Sequence, residues 1–236
     1  MLRIIYTYTI METTDFYYIT IATKPHPVLE NLKRVVEKNG ESVFVLGEKE
    51  DRRIGWDSHG NFGIKLREVY DFIHRPDIAE SDIILFTDAY DVAYCGTQKT
   101  ILERYLTFSK PIVFGCELYC NPMPELATQY AFRSTEFPYL NSGLFIGRAG
   151  ALRTCMSGYV YNDKHDDQLF WTRKFFSHPD LIELDYNNAL FLNTVGFDDT
   201  KFSWDAEENI AYYKEKTPIF VHVNGPDKSM IRIFLR

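Results

Sequence analysis

Apolar runs typical of buried strands alternate with amphipathic segments along most of this chain. A first strand is predicted over 16–22, where the residues are mostly aromatic or β-branched. The segment 27–39 then carries apolar residues at helical spacing and is followed by Gly40, a frequent helix stop. Residues 42–46 form the next predicted strand. This order of strand, helix and strand predicts a βαβ unit, the usual start of a parallel nucleotide-binding sheet.

The same alternation continues towards the other end of the chain. It predicts further strands over 83–86, 111–117, 144–148 and 218–223, and helices over 64–74, 97–108, 167–176 and shortly after Pro124. No linker-like stretch interrupts the pattern. The prediction is therefore a single α/β domain over 1–236, with a Rossmann-like, mostly parallel central sheet flanked by helices.

Composition and charge narrow the class of protein. A hydrophobic fraction of 45% in 236 residues is enough for a sizeable core. The formal charge of -7 argues against nucleic acid as a partner, because phosphate backbones are held by clustered basic residues. The apolar runs are too short to span a membrane, and no signal peptide is recognised at the N-terminus. We therefore expect a soluble, cytoplasmic protein, which for a viral protein means the host cytoplasm or the virion.

The four cysteines indicate neither a zinc site nor a disulfide framework. They are Cys95, Cys116, Cys120 and Cys155, and no CxxC pair occurs among them. Free, partly buried thiols are expected, as in a protein of a reducing compartment.

Two carboxylates follow the most apolar of the predicted strands. Asp88 and Asp91 come directly after 83–86, and ligands of open α/β sheets gather at the carboxyl ends of strands. Since a buried carboxylate needs a compensating partner, one interpretation is a divalent-metal site. The alternative is a turn capped by Asp88, with Asp91 solvated.

Other polar residues also lie at predicted strand ends or helix starts. They are Tyr90, Glu117, Asn141, Asp166, Asp167 and His222. Two aspartates and a histidine suit Mn²⁺ better than Ca²⁺, which prefers oxygen alone. Each residue also has a plain structural alternative: one of the paired aspartates can cap a helix, and the histidine can be a core residue. Lys65, a cation in the first turn of a helix, is either solvated or directed at an anionic ligand.

Five sequence blocks resemble one known family. They read Ile-Ala-Thr-Lys (21–24), Phe-Thr-Asp-Ala-Tyr-Asp-Val (86–92), Tyr-Leu-Asn-Ser-Gly-Leu-Phe-Ile-Gly (139–147), Asp-Asp-Gln-Leu-Phe (166–170) and His-Val-Asn-Gly-Pro (222–226). In this order they resemble the glycosyltransferase domain of procollagen lysyl hydroxylases, including stand-alone relatives from giant viruses.

The resemblance implies a GT-A fold, an Mn²⁺ cofactor, and transfer of hexose from UDP-glucose or UDP-galactose to a hydroxyl acceptor. By position it implies that the metal ligands are Asp88, Asp91 and His222. It implies donor contacts from Thr23, Lys65, Tyr90, Asn141, Asn224 and Lys228. The acidic residues of the sugar and acceptor side would be Glu117, Asp166 and Asp167. The implied acceptor is hydroxylysine or galactosyl-hydroxylysine of a collagen-like chain.

Three features depart from the family pattern. Asn121 stands where the family usually has tryptophan, which affects the acceptor side, and Leu144 and Val223 each replace a glycine. The family's iron-dependent hydroxylase domain has no counterpart before the end at Arg236, so hydroxylation is not expected.

Two other functions are compatible with the same residues. One is a non-catalytic UDP-sugar binding module, since the acceptor side departs most from the family. The other is a metal-dependent phosphohydrolase, although such enzymes normally gather more carboxylates around two metals. The polar loop 47–62, with Trp56 and His59, is either a lid over the donor or a plain surface loop.

Overall fold

The computed structural model describes residues 14–55, 60–131 and 133–235, which form a mixed α/β structure. The strands are β1 (Phe16–Ile21), β2 (Phe44–Leu46), β3 (Ile83–Asp88), β4 (Val92–Tyr94), β5 (Ile112–Glu117), β6 (Tyr139–Arg148), β7 (Ile182–Leu184), β8 (Phe191–Asn193), β9 (Phe202–Asp205), β10 (Ile210–Tyr213) and β11 (Phe220–His222). The α-helices are α1 (Pro27–Lys38), α2 (Gly63–Ile73), α3 (Gln98–Tyr105), α4 (Ala149–Cys155) and α5 (Asp167–Ser177). Short 3-10 helices cover Pro124–Gln129, Asp199–Lys201 and Ser229–Phe234.

The central sheet has six strands in the order β2-β1-β3-β6-β5-β7. Strand β6 runs antiparallel to both of its neighbours, and the other adjacent pairs are parallel. The predicted βαβ unit is present as β1-α1-β2, with Ile19 paired to Phe44. The α/β class and the mostly parallel sheet predicted from the sequence are confirmed.

Helices cover both faces of this sheet, which explains the continuous apolar run of β3. Ile84 and Phe86 pack in the cluster that contains side chains of α2, α4 and α5. Ile83 and Leu85 pack in the cluster that contains side chains of α1 and α3. Burying one such side chain contributes about 1.5–3 kcal/mol. Strand β3 is thereby held firmly, and it carries Asp88 at its end.

A smaller sheet of three strands, in the order β4-β11-β8, adjoins the end of β3. Strand β11 is antiparallel to β4, with His222 opposite Val92, and parallel to β8, with His222 opposite Asn193. This register brings the last residue of β11 next to the segment that connects β3 to β4. Strands β4 and β8 have three residues each, too few for a recognisable sequence pattern.

Asn141–Gly143, which precede the predicted strand 144–148, lie inside β6, although Asn, Ser and Gly are typical turn residues. Their local turn preference is overridden by pairing with β5, where Asn141 lies opposite Gly115. The next pair along the two strands joins Phe114 to Phe145, so the backbone from Ser142 to Leu144 bulges away from β5. The bulge faces the candidate site described below.

Several further expectations concern segments outside the sheet. The four cysteines are free, as predicted, and all four are buried. No helix in the described ranges is long and apolar enough to cross a membrane. Trp56 and His59 of the predicted loop, and the N-terminal residues 1–13, lie outside the described residues.

Candidate metal centre and its surroundings

Asp88, Asp91 and His222 meet at the junction of the two sheets. Each side chain offers one ligand atom, and the three atoms lie within 4.8 Å of one another. His222 Nε2 is 3.4 Å from Asp91 Oδ1 and 3.8 Å from Asp88 Oδ2. Asp88 ends β3, Asp91 precedes β4, and His222 ends β11, so three strands fix the cluster.

Two lysines pair with the aspartates of this cluster. Lys65 Nζ lies 2.6 Å from Asp88 Oδ1 and 3.6 Å from Asp167 Oδ2. Lys228 Nζ lies 2.5 Å from Asp91 Oδ2 and donates to Val223 O at 2.7 Å. Burial opposes the charge on Lys65, but Asp167 and Asp88 raise its pKa above the usual value. Burial likewise opposes the charge on Asp91, yet His222 and Lys228 hold its pKa well below the usual range.

The donor set and the charge of this cluster fit a divalent cation. Two carboxylates and an imidazole are ligands that Mn²⁺ and similar ions accept. With both lysines protonated, the three carboxylates of Asp88, Asp91 and Asp167 leave one net negative charge to attract a cation. Gly143 keeps the space beside the ligands open, because a Cβ there would lie 2.4 Å from His222 Cε1.

Glu117 lies at the end of β5, buried in a network of amide groups. Its Oε1 accepts from Gln168 Nε2, and its Oε2 accepts from Asn224 Nδ2 at 3.0 Å. Asn224 is fixed in turn, because its Oδ1 accepts from Thr194 N and Val195 N. Burial raises the pKa of Glu117, and the bonds from Gln168 and other neighbours reduce that effect. Both oxygens of Glu117 are therefore committed to partners within the chain.

Asp166 and Asp167 start α5, and the structure gives them different surroundings. Asp166 is the N-cap, and its Oδ1 accepts from Leu169 N at 2.8 Å. The predicted capping role of one aspartate of the pair is thus confirmed for Asp166. Asp167 is buried, and its Oδ2 accepts from Ser142 Oγ at 2.8 Å. Burial is the main cause that raises the pKa of both carboxyl groups.

Tyr90 stands between the two aspartates and anchors the loop after β1. Its hydroxyl accepts from Thr23 N at 2.8 Å and from Lys24 N at 3.0 Å. Its ring lies 5.1 Å from the ring of His26, centroid to centroid. Together with Lys228 these two rings line a cavity of about 530 Å³ beside the metal cluster. Thr23 Oγ1 is buried and, among the described residues, has no hydrogen-bond partner.

The remaining predicted donor contact, Asn141, interacts through its side chain with Glu117 and with its own strand. Its Oδ1 accepts from Gly143 N at 3.0 Å, which stabilises the bulge of β6. Most of the predicted site residues therefore form two groups: the charged cluster with Lys65, Lys228 and Asp167, and the amide network around Glu117. Thr23 and Tyr90 bond to each other beside the first group, and Asp166 caps α5.

Two residues with a direct place in this arrangement escaped the sequence reasoning. Ser142 donates to Asp167, and Asn193 contacts the imidazole of His222. The one signal for Asn193 is its position at the end of the short apolar run 189–192. Such a run is too short to be assigned to a strand with confidence in its end.

Comparison with known proteins identifies relatives over nearly all of the chain. The human multifunctional procollagen lysine hydroxylase and glycosyltransferase LH3 is 33% identical over 221 residues, covering 89% of this chain and 30% of the relative. The multifunctional procollagen lysine hydroxylase and glycosyltransferase of Caenorhabditis elegans is 32% identical over 240 residues, covering 94% and 32%. The chain thus spans about a third of the length of these relatives.

A solved structure supports the fold. A glycosyltransferase involved in the glycosylation of the major capsid of PBCV-1 superposes with a TM-score of 0.51 at 10% identity, over 92% of this chain and 98% of that one. Residues 12–235 match the family described as the PLOD GT domain. The chain therefore belongs to the glycosyltransferase-domain family of procollagen lysyl hydroxylases, and it has the α/β fold of a glycosyltransferase.

Proposed function

We propose that this chain, acting as one glycosyltransferase domain, transfers a hexose from a UDP-sugar to a hydroxyl group in an Mn²⁺-dependent reaction. The observation that carries the proposal is the cluster of Asp88, Asp91 and His222, with two lysines paired to its carboxylates, in a chain of this family. When bound there by the three side chains, Mn²⁺ supplies Lewis-acid stabilisation of the negative charge on a diphosphate leaving group.

In this proposal, the two lysines bind the diphosphate of the donor. Lys65 Nζ pairs with the carboxylate of Asp88, and Lys228 Nζ pairs with that of Asp91, so both cations lie close to a group that binds at the cluster. Because only 14% of the Lys65 side chain is exposed, its charge is screened less by water than that of a surface lysine and acts more strongly on a phosphate oxygen. Both lysines thereby stabilise the charge that develops on departing UDP.

The uridine is assigned to the side of the cluster where Tyr90 lies. The ring of Tyr90 lines the 530 Å³ cavity, and its hydroxyl holds the backbone of Thr23 and Lys24 in place. An aromatic wall of this kind suits the face of a nucleobase. Thr23, whose backbone Tyr90 holds, adds a buried hydroxyl next to this wall.

The sugar and acceptor are assigned to the opposite side, at the start of α5. Asp167 is held by Ser142 and lies near Lys65, so it is placed to orient the sugar next to the diphosphate. Burial raises the pKa of both aspartates, but Asp166 is less buried than Asp167 and therefore more accessible, which makes it the stronger candidate to accept the proton of the acceptor hydroxyl. Glu117, with both oxygens bonded, shapes the wall of this pocket.

The family supports hydroxylysine or galactosyl-hydroxylysine in a collagen-like chain as the acceptor, and UDP-glucose or UDP-galactose as the donor. The names of the human and Caenorhabditis elegans relatives combine lysine hydroxylation with glycosyl transfer. On the acceptor side, this chain carries Asn121, whose carbonyl accepts from Gln168 Nε2 at 3.1 Å. This hydrogen bond connects Asn121 through Gln168 to the network around Glu117.

The test is a transfer assay with the purified chain. Each UDP-sugar is incubated with Mn²⁺ and with collagen-like peptides that contain lysine, hydroxylysine or galactosyl-hydroxylysine, and the peptide products are identified by mass spectrometry. We expect a hexose adduct on a hydroxylated peptide and none on its lysine counterpart. Nucleotide binding without any hexose transfer would instead support a non-catalytic binding module, and release of inorganic phosphate would support a phosphohydrolase.

A further inference from the structure

A buried asparagine, Asn193, lies directly behind the imidazole of His222. It is the last residue of β8 and is fully shielded from solvent. Its Oδ1 is 2.8 Å from His222 Nδ1, whereas the other ring nitrogen, Nε2, faces Asp91 and Asp88. The two ring nitrogens thus have different partners, one an amide and the other the carboxylates of the metal cluster.

A second hydrogen bond fixes which way the amide of Asn193 points. Its Nδ2 donates to Cys116 O at 2.7 Å. Because an amide NH₂ only donates and a backbone carbonyl only accepts, this bond defines the position of the nitrogen and therefore of Oδ1. Gly115 leaves room for the amide, since a Cβ there would lie 3.1 Å from Asn193 Nδ2. Strand β5 thus accepts the hydrogen bond of the amide at Cys116 and leaves space for the amide at Gly115.

The orientation of the amide determines the tautomer of neutral His222. Oδ1 of Asn193 can only accept and lies 2.8 Å from Nδ1, whereas the carboxylate oxygen Asp91 Oδ1 lies 3.4 Å from Nε2. The closer acceptor therefore takes the proton of the neutral ring on Nδ1, and the lone pair of Nε2 faces the carboxylates. In the opposite tautomer, two acceptors would face each other at 2.8 Å. Flipping the amide would only move the conflict, because Oδ1 would then face Cys116 O. A buried group left without its partner is unfavourable in either case.

We propose that Asn193 is a positioning residue that keeps the proton of neutral His222 on Nδ1, so that Nε2 is free to bind a divalent cation. The inference rests on the proposed function only in taking Asp88, Asp91 and His222 as metal ligands. Metal-binding histidines characteristically donate their second ring N–H to a fixed acceptor, which sets the tautomer and the ring orientation. Here a side-chain amide provides that acceptor.

The first test is an NMR measurement on the metal-free protein with ¹⁵N-labelled histidine. The His222 signals are assigned with the His222→Gln variant, and the pH is raised until the ring is neutral. We expect Nδ1 to retain the proton and Nε2 to show the shift of an unprotonated nitrogen. A neutral ring with its proton on Nε2 would overturn the inference, with no variant of Asn193 required.

The second test is Mn²⁺ affinity, measured from the electron paramagnetic resonance signal of free Mn²⁺. Asn193→Leu removes the acceptor, and we expect affinity to fall by about 10–100-fold, with the proton of neutral His222 moving largely to Nε2. Asn193→Asp keeps an acceptor for Nδ1, and we expect it to keep Nδ1 protonated. Its second oxygen then faces Cys116 O, so we expect a lower Tm but no movement of the proton to Nε2. Unchanged affinity in Asn193→Leu would overturn the inference.

A control separates positioning from a general loss of packing. Asn39 also donates its Nδ2 to a backbone carbonyl, Gly96 O at 2.9 Å, but it lies at the C-terminal end of α1. We expect Asn39→Ala to leave Mn²⁺ affinity and the His222 tautomer unchanged. Circular dichroism checks folding, and Asn193→Ala replaces Asn193→Leu if the leucine does not fit.

Neither test uses a sugar nucleotide, so the inference and the proposed function can fail separately. A protein that binds Mn²⁺ with the expected tautomer but transfers no hexose refutes the function alone. A protein that transfers hexose with His222 protonated on Nε2 refutes the inference alone.

Discussion

Gly143 is the residue whose replacement tests the metal cluster most selectively. A Cβ at this position would lie 2.4 Å from His222 Cε1 and 2.9 Å from Asp88 Oδ2. Since carbon atoms in contact lie about 3.5 Å apart, the Gly143→Ala change must push the imidazole back by about 1 Å. Displacements of about 1 Å can lower a rate about 100-fold. We expect Mn²⁺ affinity to fall by about 10–100-fold, as for changes that misorient a ligand.

Gly147→Ala is the control, because Gly147 lies on the same strand, β6, in a position that is also crowded, though less so than Gly143. A Cβ there would lie 3.0 Å from Ile112 Cγ1, away from the metal cluster. Both variants are overpacked and should lose about 1–3 kcal/mol of stability. Thermal unfolding measures the loss of stability that both variants share, and Mn²⁺ titration measures the loss of metal affinity that we expect only in Gly143→Ala. Wild-type Mn²⁺ affinity in Gly143→Ala, or an equal loss in Gly147→Ala, would refute the reasoning.

Three further predictions concern individual side chains of the site. Asp91→Ala and His222→Ala should abolish Mn²⁺-dependent UDP release while circular dichroism shows a retained fold; full activity in both would exclude them as ligands. Tyr90→Phe leaves Thr23 N without its hydroxyl acceptor, and we expect donor binding to lose about 1.4 kcal/mol of free energy, which raises the donor KM about tenfold. An unchanged KM argues against a uridine site there. Burial raises the pKa of Glu117, so the folded chain keeps this proton over a pH range in which the unfolded chain has released it, and stability falls as pH rises through that range. The Tm of Glu117→Gln relative to the unaltered protein should therefore increase as pH rises from about 4.3, and a decrease would contradict the raised pKa.

The fold was largely predictable because its long elements carry strong periodic signals. The run that became β3 is apolar on both faces, and the helix before it, α2, repeats apolar residues at helical spacing. The three-residue strands β4 and β8 of the smaller sheet have no such pattern, and tertiary pairing decides them. Asn141–Gly143 shows the opposite failure: the segment has turn-forming residues, yet its pairing with β5 keeps it in a strand with a bulge.

The candidate site was predictable where its residues are charged and end long strands. Asp88 and Asp91 could be recognised from the apolar run before them, and Lys65 from its unusual place in the first turn of a helix. The supporting residues could not, because their roles depend on what they face. Asn193 is an ordinary asparagine in the sequence, and only its pairing with His222 gives it a role.

The central claim is that Asp88, Asp91 and His222 hold the metal on which sugar transfer depends. The most direct measurement is the rate of UDP release from UDP-glucose and UDP-galactose by chelator-treated protein, before and after Mn²⁺ is restored, alongside Asp91→Ala. The account predicts release that depends on Mn²⁺ in the unaltered protein and is absent from the variant. Release at the same rate without metal, or in the variant, would contradict it.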